Sequence, residues 1–339
     1  MVCIFLHSMV LILWSKEVSD PQTLAPHGAK ETAKVYHLKL GKSPQDSPFS
    51  ELVKMIARLE IEQGIKINPL NYPEIAINFD TRTAPGLYIQ SELINGLIKF
   101  LEIRGYGKEE VRLVTYYLDR QTKQSLEKEL PGYRIITSQS DSYFHPDWFH
   151  DSPIPPAMGD RAELLIKYPN NSDIRSDLER KSALPASLFL GKTYWINLAT
   201  AMDDYYLGIN GACSNASVNA SSNTQRFRKD FTMGPAAVTE ILAIPEFWEK
   251  QLFSLIDLRA FQIAGGPQFN AEFIRKEPIL LMSKNPVFLD FHAMELIRQK
   301  RALAGLDDRK TKDCKLFKFA RVLGLGDSLT SELIELSSR

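Results

Sequence analysis

From Lys34 onward, apolar residues follow two alternating periods. Val35-Tyr36-His37-Leu38-Lys39-Leu40 alternates as a strand does, and Ser50 to Gln63 carries Leu52, Met55, Ile56 and Leu59 on one helical face. Glu74-Ile75-Ala76-Ile77-Asn78-Phe79 is the next predicted strand. The helix after it bears Leu93, Ile94, Leu97, Ile98 and Leu101 and stops at Gly105. Val111 to Tyr117 and Tyr133 to Ile136 are predicted strands on either side of a polar helix at Gln121 to Glu129. Short apolar strands separated by amphipathic helices call for parallel pairing, because each crossover must return to the same end of a sheet. The predicted class is therefore α/β: mostly parallel sheet with helices on both faces, with a division into two α/β lobes and a cleft left open.

The second half is less regular. Asp141 to Pro156, rich in Pro, Asp, His and aromatics, reads as a long ordered loop, and Ala162 to Tyr168 as a strand. Ser187 to Leu190 is a short apolar piece. Thr193 to Leu198, Leu252 to Asp257 and Pro278 to Ser283 are predicted strands, and a helix from Pro286 to Lys300 follows the last directly. Lys310 to Ser338 reads as two helices broken at Gly324-Leu325-Gly326. The organisation expected is a tail over 1–33, an α/β region over 34–305 with lobes at 34–140 and 160–305, and C-terminal helices over 306–339. Val2 to Trp14 is apolar but too short for a helix to span a bilayer. It fits the core of a signal peptide or a start placed too far upstream, and the compartment stays open.

Composition removes several classes. Lys+Arg and Asp+Glu both total 41, so there is no basic excess of the kind that binds nucleic acid. The three cysteines, Cys3, Cys213 and Cys314, include no Cys-x-x-Cys pair, so neither an iron–sulfur cluster nor a structural zinc is expected. A Cys213–Cys314 disulfide is left open. His145 and His150 read as loop histidines. No phosphate-binding Gly-x-x-x-x-Gly-Lys loop, dinucleotide-binding Gly-x-Gly-x-x-Gly or nucleophile elbow follows a strand. No metal site is nominated.

In open α/β sheets, ligands bind beyond the carboxyl ends of the strands. That rule nominates Asp80 and Arg82 after the Phe79 strand, and Asn197, Asp203 and Asp204 after the Trp195 strand. It adds Asp257, then Gly265 and Gly266, after the Leu255 strand. Between Gly208 and Arg226, Asn215, Asn219 and Asn223 recur every four residues, so a helix there would present a polar stripe. Asn210 and Gly211 precede it with free N–H groups. Two functions are expected from this set. One is an enzyme for a small polar or anionic metabolite, with Asp204 and Asp257 in acid–base roles and Arg82 clamping an acidic group. The other is a non-catalytic, exported binding protein that uses the Asn-rich wall. Both imply a small-molecule ligand; oligomeric state is not legible.

Three segments carry a resemblance. Tyr194-Trp195-Ile196-Asn197-Leu198 with Gly208-Ile209-Asn210-Gly211-Ala212 and Asn215-Ala216 resembles an "INLP…GVNGALKN" stretch. Ile256-Asp257-Leu258-Arg259-Ala260 with Gly265-Gly266-Pro267 resembles "VDALR…GGP", and Ser283 to Asp290 resembles "STDPVALD". In that order they are similar to the bacterial family called domain of unknown function 362, over roughly Glu74 to Arg301. The resemblance implies an α/β fold, more distantly similar to nickel-pincer lactate racemases, and no defined reaction. Ser214 stands where the family often has Lys, and the ferredoxin-type cysteines of many members are missing. Neither a lysine-dependent role nor redox chemistry is implied.

Overall fold

A computed structural model describes residues 34–40, 48–79, 87, 91–307, 313–327 and 331–336. Its first half runs Lys34–Lys39 (β1), Pro48–Gln63 (α1), Glu74–Phe79 (β2), Ser91–Ile103 (α2), Val111–Val114 (β3), Arg120–Glu129 (α3) and Arg134–Ile136 (β4). Next come Phe144–Asp151 (β5), Met158–Lys167 (α4), Ser172–Arg180 (α5), Lys181–Pro185 (β6) and Ala186–Phe189 (α6). The central strand Thr193–Asp204 (β7) leads to Gly208–Asn210 (β8), Ala212–Asn215 (α7), Met233–Leu242 (α8), Pro245–Lys250 (α9) and Gln251–Gln262 (β9). The chain then forms Ile274–Arg275 (β10), Ile279–Ser283 (β11), Pro286–Leu303 (α10), Lys315–Val322 (α11) and Glu332–Leu336 (β12).

One sheet takes strands from the whole length in the order β12-β1-β11-β9-β7-β2-β3-β4, with β8 beside β7 and β10 beside β9. The pairs β7–β9, β2–β7, β2–β3 and β3–β4 are parallel; β11 runs against both β9 and β1, and β12 runs parallel with β1. The fold is therefore α/β with a mostly parallel sheet, as the alternating periods predict. Strands from both expected lobes, 34–140 and 160–305, sit side by side in this sheet, through β2 and β7.

Period-two alternation sorts the strand residues onto two faces. Ile75, Ile77, Phe79, Ile196, Leu198, Leu255 and Met282 pack against α1 and α2 through Leu52, Met55, Ile56, Leu93, Leu97 and Leu101. Ala76, Trp195, Ala199, Ile256 and Leu281 pack on the opposite face, against Phe247 of α9, Val287, Leu289 and Ile297 of α10, and Leu316 of α11. Both faces are covered, which is why the central strands read as nearly continuous apolar runs.

Four local expectations are corrected, and the disulfide left open is decided. Ala162 to Tyr168 is not a strand; most of it lies in α4, because an apolar run as short as Leu164-Leu165-Ile166 cannot tell the two periods apart. The expected loop at Asp141 to Pro156 contains β5, whose aromatics suit a pleated strand paired with β6. The Asn-striped helix stops after α7, since hydroxyls turn back onto nearby carbonyls, Ser217 to Cys213 at 2.6 Å and Ser221 to Val218 at 2.9 Å. The second C-terminal helix is the strand β12, which covers the otherwise open edge of β1. Cys213 and Cys314 are both buried free thiols, not a disulfide. Strands β7 and β9 also run past Leu198 and Asp257, to Asp204 and Gln262.

Among the described residues, no helix is long and apolar enough to cross a membrane.

Candidate functional site

The register of the sheet aligns one polar residue from each of four neighbouring strands. Asn78 of β2 lies opposite Asn197 of β7, Asn197 opposite Ser254 of β9, and Ser254 opposite Ser283 of β11. All four are buried. A buried amide must find partners, and Asn197 does. Its Nδ2 donates to the Ala212 carbonyl and the Ser254 hydroxyl, both at 3.0 Å. Its Oδ1 accepts from Asn215 Nδ2 at 2.7 Å and Asn78 Nδ2 at 3.2 Å. Asn215 also donates to the Leu198 carbonyl at 2.8 Å. Asn197 and Asn215 thus fasten the segment after β8 onto the sheet.

A second chain of contacts continues from the same segment. Asn210 Oδ1 accepts from Ser214 Oγ at 2.5 Å and from Asn219 Nδ2 at 2.8 Å. Asn219 Oδ1 accepts from Arg228 Nη2 at 2.8 Å, and Arg228 Nε donates to Asp204 Oδ2 at 3.1 Å. The other oxygen of Asp204 accepts from the backbone N–H groups of Tyr206 and Leu207, at 2.9 and 3.0 Å. The Asp204 side chain is fully buried between its turn and the largely buried Arg228.

The other nominated carboxylates are also held by arginines. Asp203 Oδ2 lies 3.5 Å from Arg301 Nη1. Asp257 shares the α1–α2 face with Leu255, away from the Asn network, and accepts from Arg259 Nη2 at 2.7 Å and Nε at 2.9 Å. Arg259 reaches on to Glu92 at the start of α2. The two aspartates expected to share acid–base work therefore face different arginines and share no partner. Gly265 has a left-handed φ of 83° that favours glycine, and Gly266 packs its Cα against the Asp203 carbonyl. Asp80 and Arg82 lie outside the described residues.

Several residues of this network were not nominated as site residues from sequence, among them Asn78, Ser214, Ser254, Ser283, Arg228 and Arg301. Asn78 carried a signal, as an amide inside an apolar strand, like Asn197. The arginines carried none, because Arg228 is near Asp204 only through the folding of the intervening turn.

Asp290 has a larger role than stabilising the first turn of its own helix. Fully buried, it accepts from the backbone N–H groups of Ala212 and Cys213 at 2.6 and 2.9 Å, and leaves no room for a side chain at Gly211. Burial pushes its carboxyl up to about 7, against those two N–H groups and the Cys213 thiol, which favour the charge. The Cys213 thiol is itself pushed well up by burial and by Asp290. A carboxyl raised above its ordinary 3.8 contributes stability that is complete below about pH 4 and lost as pH rises through about 7. Denaturant titrations of wild type and Asp290→Asn at pH 5 and pH 8 should show this. Wild type should lose stability relative to the variant at roughly 1.4 kcal/mol per pH unit within the window. Parallel profiles would mean that Asp290 is ionised throughout.

Surface concavity lies elsewhere. A cleft of about 430 Å³ opens on the outer side of the β5–β6 ribbon, between the ribbon and the helical pair α4–α5. Alternation along the ribbon decides which residues reach it. Asp147, Phe149, Lys181 and Ala183 line the cleft, whereas Leu184 is buried on the core side and His150, the residue after Phe149, bonds Glu240 at 2.9 Å. Helix α4 adds Asp160, Glu163 and Leu164, and α5 adds Leu178. The end of the Asn-rich segment forms the rim: Ser222 Oγ accepts from Ala183 N at 2.7 Å and Asn223 Nδ2 donates to the Lys181 carbonyl at 3.1 Å. Asn223 adopts a left-handed φ of 54°, a conformation asparagine tolerates well. Lys181 is engaged within the cleft, 2.5 Å from Asp177 and 4.7 Å from the Phe149 ring centroid. Burial, and then Glu163, raises the Asp160 carboxyl, which Arg226 opposes.

Fold and site define an α/β protein with a sealed polar network on one sheet face and an acidic cleft beside it. The chain matches no family model, and no curated protein is significantly similar to it. A crystal structure of a Thermotoga maritima protein from a structural genomics consortium is similar at 13% identity, with a TM-score of 0.39. The similarity covers 75% of this chain and 58% of that one, so the chain spans little more than half the length of its structural neighbour.

Proposed function

We propose that this protein binds a small organic cation in the cleft between the β5–β6 ribbon and α4–α5, and does so without proton transfer by Asp204 or Asp257. The cleft lining carries the proposal. It presents three carboxylates, Asp147, Asp160 and Glu163, against one ammonium, Lys181, around an apolar floor of Phe149, Leu164 and Leu178. An anion entering there meets like charge. A cation relieves the repulsion between Asp160 and Glu163, and the Phe149 ring, already covered by Lys181, adds apolar contact at the floor. This favours the binding-protein expectation over the acid–base one. It also places the Asn-rich segment at the rim, through Ser222 and Asn223, rather than as the wall. Membership of the domain-of-unknown-function-362 family rests on the three sequence motifs and names no ligand.

Calorimetry with agmatine, putrescine and choline on one side, and citrate and phosphate on the other, tests the proposal. At least one amine should bind, and Asp160→Asn or Glu163→Gln should weaken it about tenfold, the equivalent of one lost charge contact. Binding of citrate with no response to any amine would reverse the assignment.

A further inference from the structure

Arg226 is the largest polar side chain buried in the fold, at 1% exposure, and no carboxylate among the described residues lies within ion-pair distance of it. A guanidinium is rarely taken out of water without an acid beside it. Here its two Nη groups donate mostly to main chain, while the buried Nε has no hydrogen-bond partner among the described residues. Nη2 donates to the carbonyls of Ile154 and Glu179, the latter at 2.5 Å. Nη1 donates to the Ser182 hydroxyl at 3.2 Å and to the Arg180 carbonyl at 3.4 Å.

These acceptors do not line the cleft themselves but lie in three of the segments that carry its wall. Ile154 lies in the link between β5 and α4, Glu179 and Arg180 are the last residues of α5, and Ser182 is on β6. The carbonyls at the end of α5 have no partner within their own helix, so a donor from outside is what they require. Helices α4 and α5 bury no residue of their own, so apolar packing does little to hold them. Resting on the proposed reading of the cleft, we infer that Arg226 is its positioning residue: one guanidinium sets the spacing between the ribbon and the helical pair. Its charge also opposes the rise that burial and Glu163 impose on the Asp160 carboxyl. The planar fork matters as much as the charge. A lysine has a single ammonium and cannot span four acceptors on three elements.

Arg226→Lys and Arg226→Gln separate these two roles. Amide exchange over residues 144–185 should rise in both variants while the strands β2, β7 and β9 exchange as in wild type. Affinity for whichever amine wild type binds should fall about tenfold or more in both. The acid limb of that affinity should stay in place in Arg226→Lys and move to higher pH in Arg226→Gln. The charged groups that set that limb are Glu163 on α4, Asp147 on β5, Lys181 on β6, and Arg226 and Lys229 after the Asn-rich segment. Unchanged exchange in 144–185, or a uniform rise across the whole sheet, overturns the clamp. If wild type binds no amine, the cleft assignment fails alone, and the exchange pattern still decides the clamp.

Discussion

Asp204→Ala should destabilise the fold by about 3–5 kcal/mol, the usual cost of removing one partner from a buried ion pair. The substitution leaves Arg228, itself only 9% exposed at the side chain, without its counter-charge. It also strips the acceptor from the N–H groups of Tyr206 and Leu207, which form the turn at the end of β7. Arg228 then has only Asn219 to hold it, so the loss should spread toward Asn210. Asp204→Asn should cost less, because an amide oxygen can still accept from the turn. In the double variant Asp204→Ala/Arg228→Met the two losses should fall short of additivity by about 1–3 kcal/mol, since the arginine no longer carries a stranded charge. Equilibrium denaturation measures all three. An Asp204→Ala protein with wild-type stability would detach this aspartate from the fold and return it to the list of candidate proton-transfer groups.

Gly266→Ala should cost about 4 kcal/mol or more, at the extreme of single substitutions, and for a steric reason. A methyl at this position would fall inside the contact distance of the Asp203 carbonyl, and a main-chain oxygen cannot rotate away. Tyr205 N also donates to the Gly266 carbonyl at 3.3 Å, so the two segments are locked together where β7 ends. Gly159 provides the contrast. It sits in the first turn of α4 with open space around it, so Gly159→Ala should be neutral or stabilise by roughly 0.5–1 kcal/mol. Thermal melts of the two variants side by side give the comparison. A Gly266→Ala melting point close to wild type would show that the β7 end can move, and the pairing of Gly265 and Gly266 would then need a ligand to explain it.

These two positions also show how far residue type leads. Asp204 and Gly266 were both selected by the rule that polar and glycine-rich strand ends hold ligands. In the fold they are next to each other in a different sense: one organises a turn and an arginine, the other permits two backbones to touch. Asn197 came from the same strand-end rule and Asn215 from a spacing argument about a helix that does not continue past α7, yet their side chains do meet, at 2.7 Å. The pattern was informative because amides in apolar surroundings must be paired. The helix was the wrong geometry for the pairing, since Ser and Asn side chains compete for the same carbonyls a helix needs.

The alternating periods by themselves determined the α/β class, the parallel core strands β2, β3, β4, β7 and β9, and the helices α1, α2 and α10. The helices, β2, β7 and β9 have enough apolar residues at one spacing to exclude the other, and the short strands β3 and β4 follow from the alternation of strand and helix around them. Only the tertiary structure decided that β5 is a strand, α4 a helix and β12 a strand, because runs of three to five apolar residues fit either period. It alone placed Asp204 with Arg228, Asp257 with Arg259 and Glu92, and Arg226 beneath the cleft. Those contacts join residues up to 167 positions apart, and no local spacing encodes a partner that folding brings from the far side of a sheet.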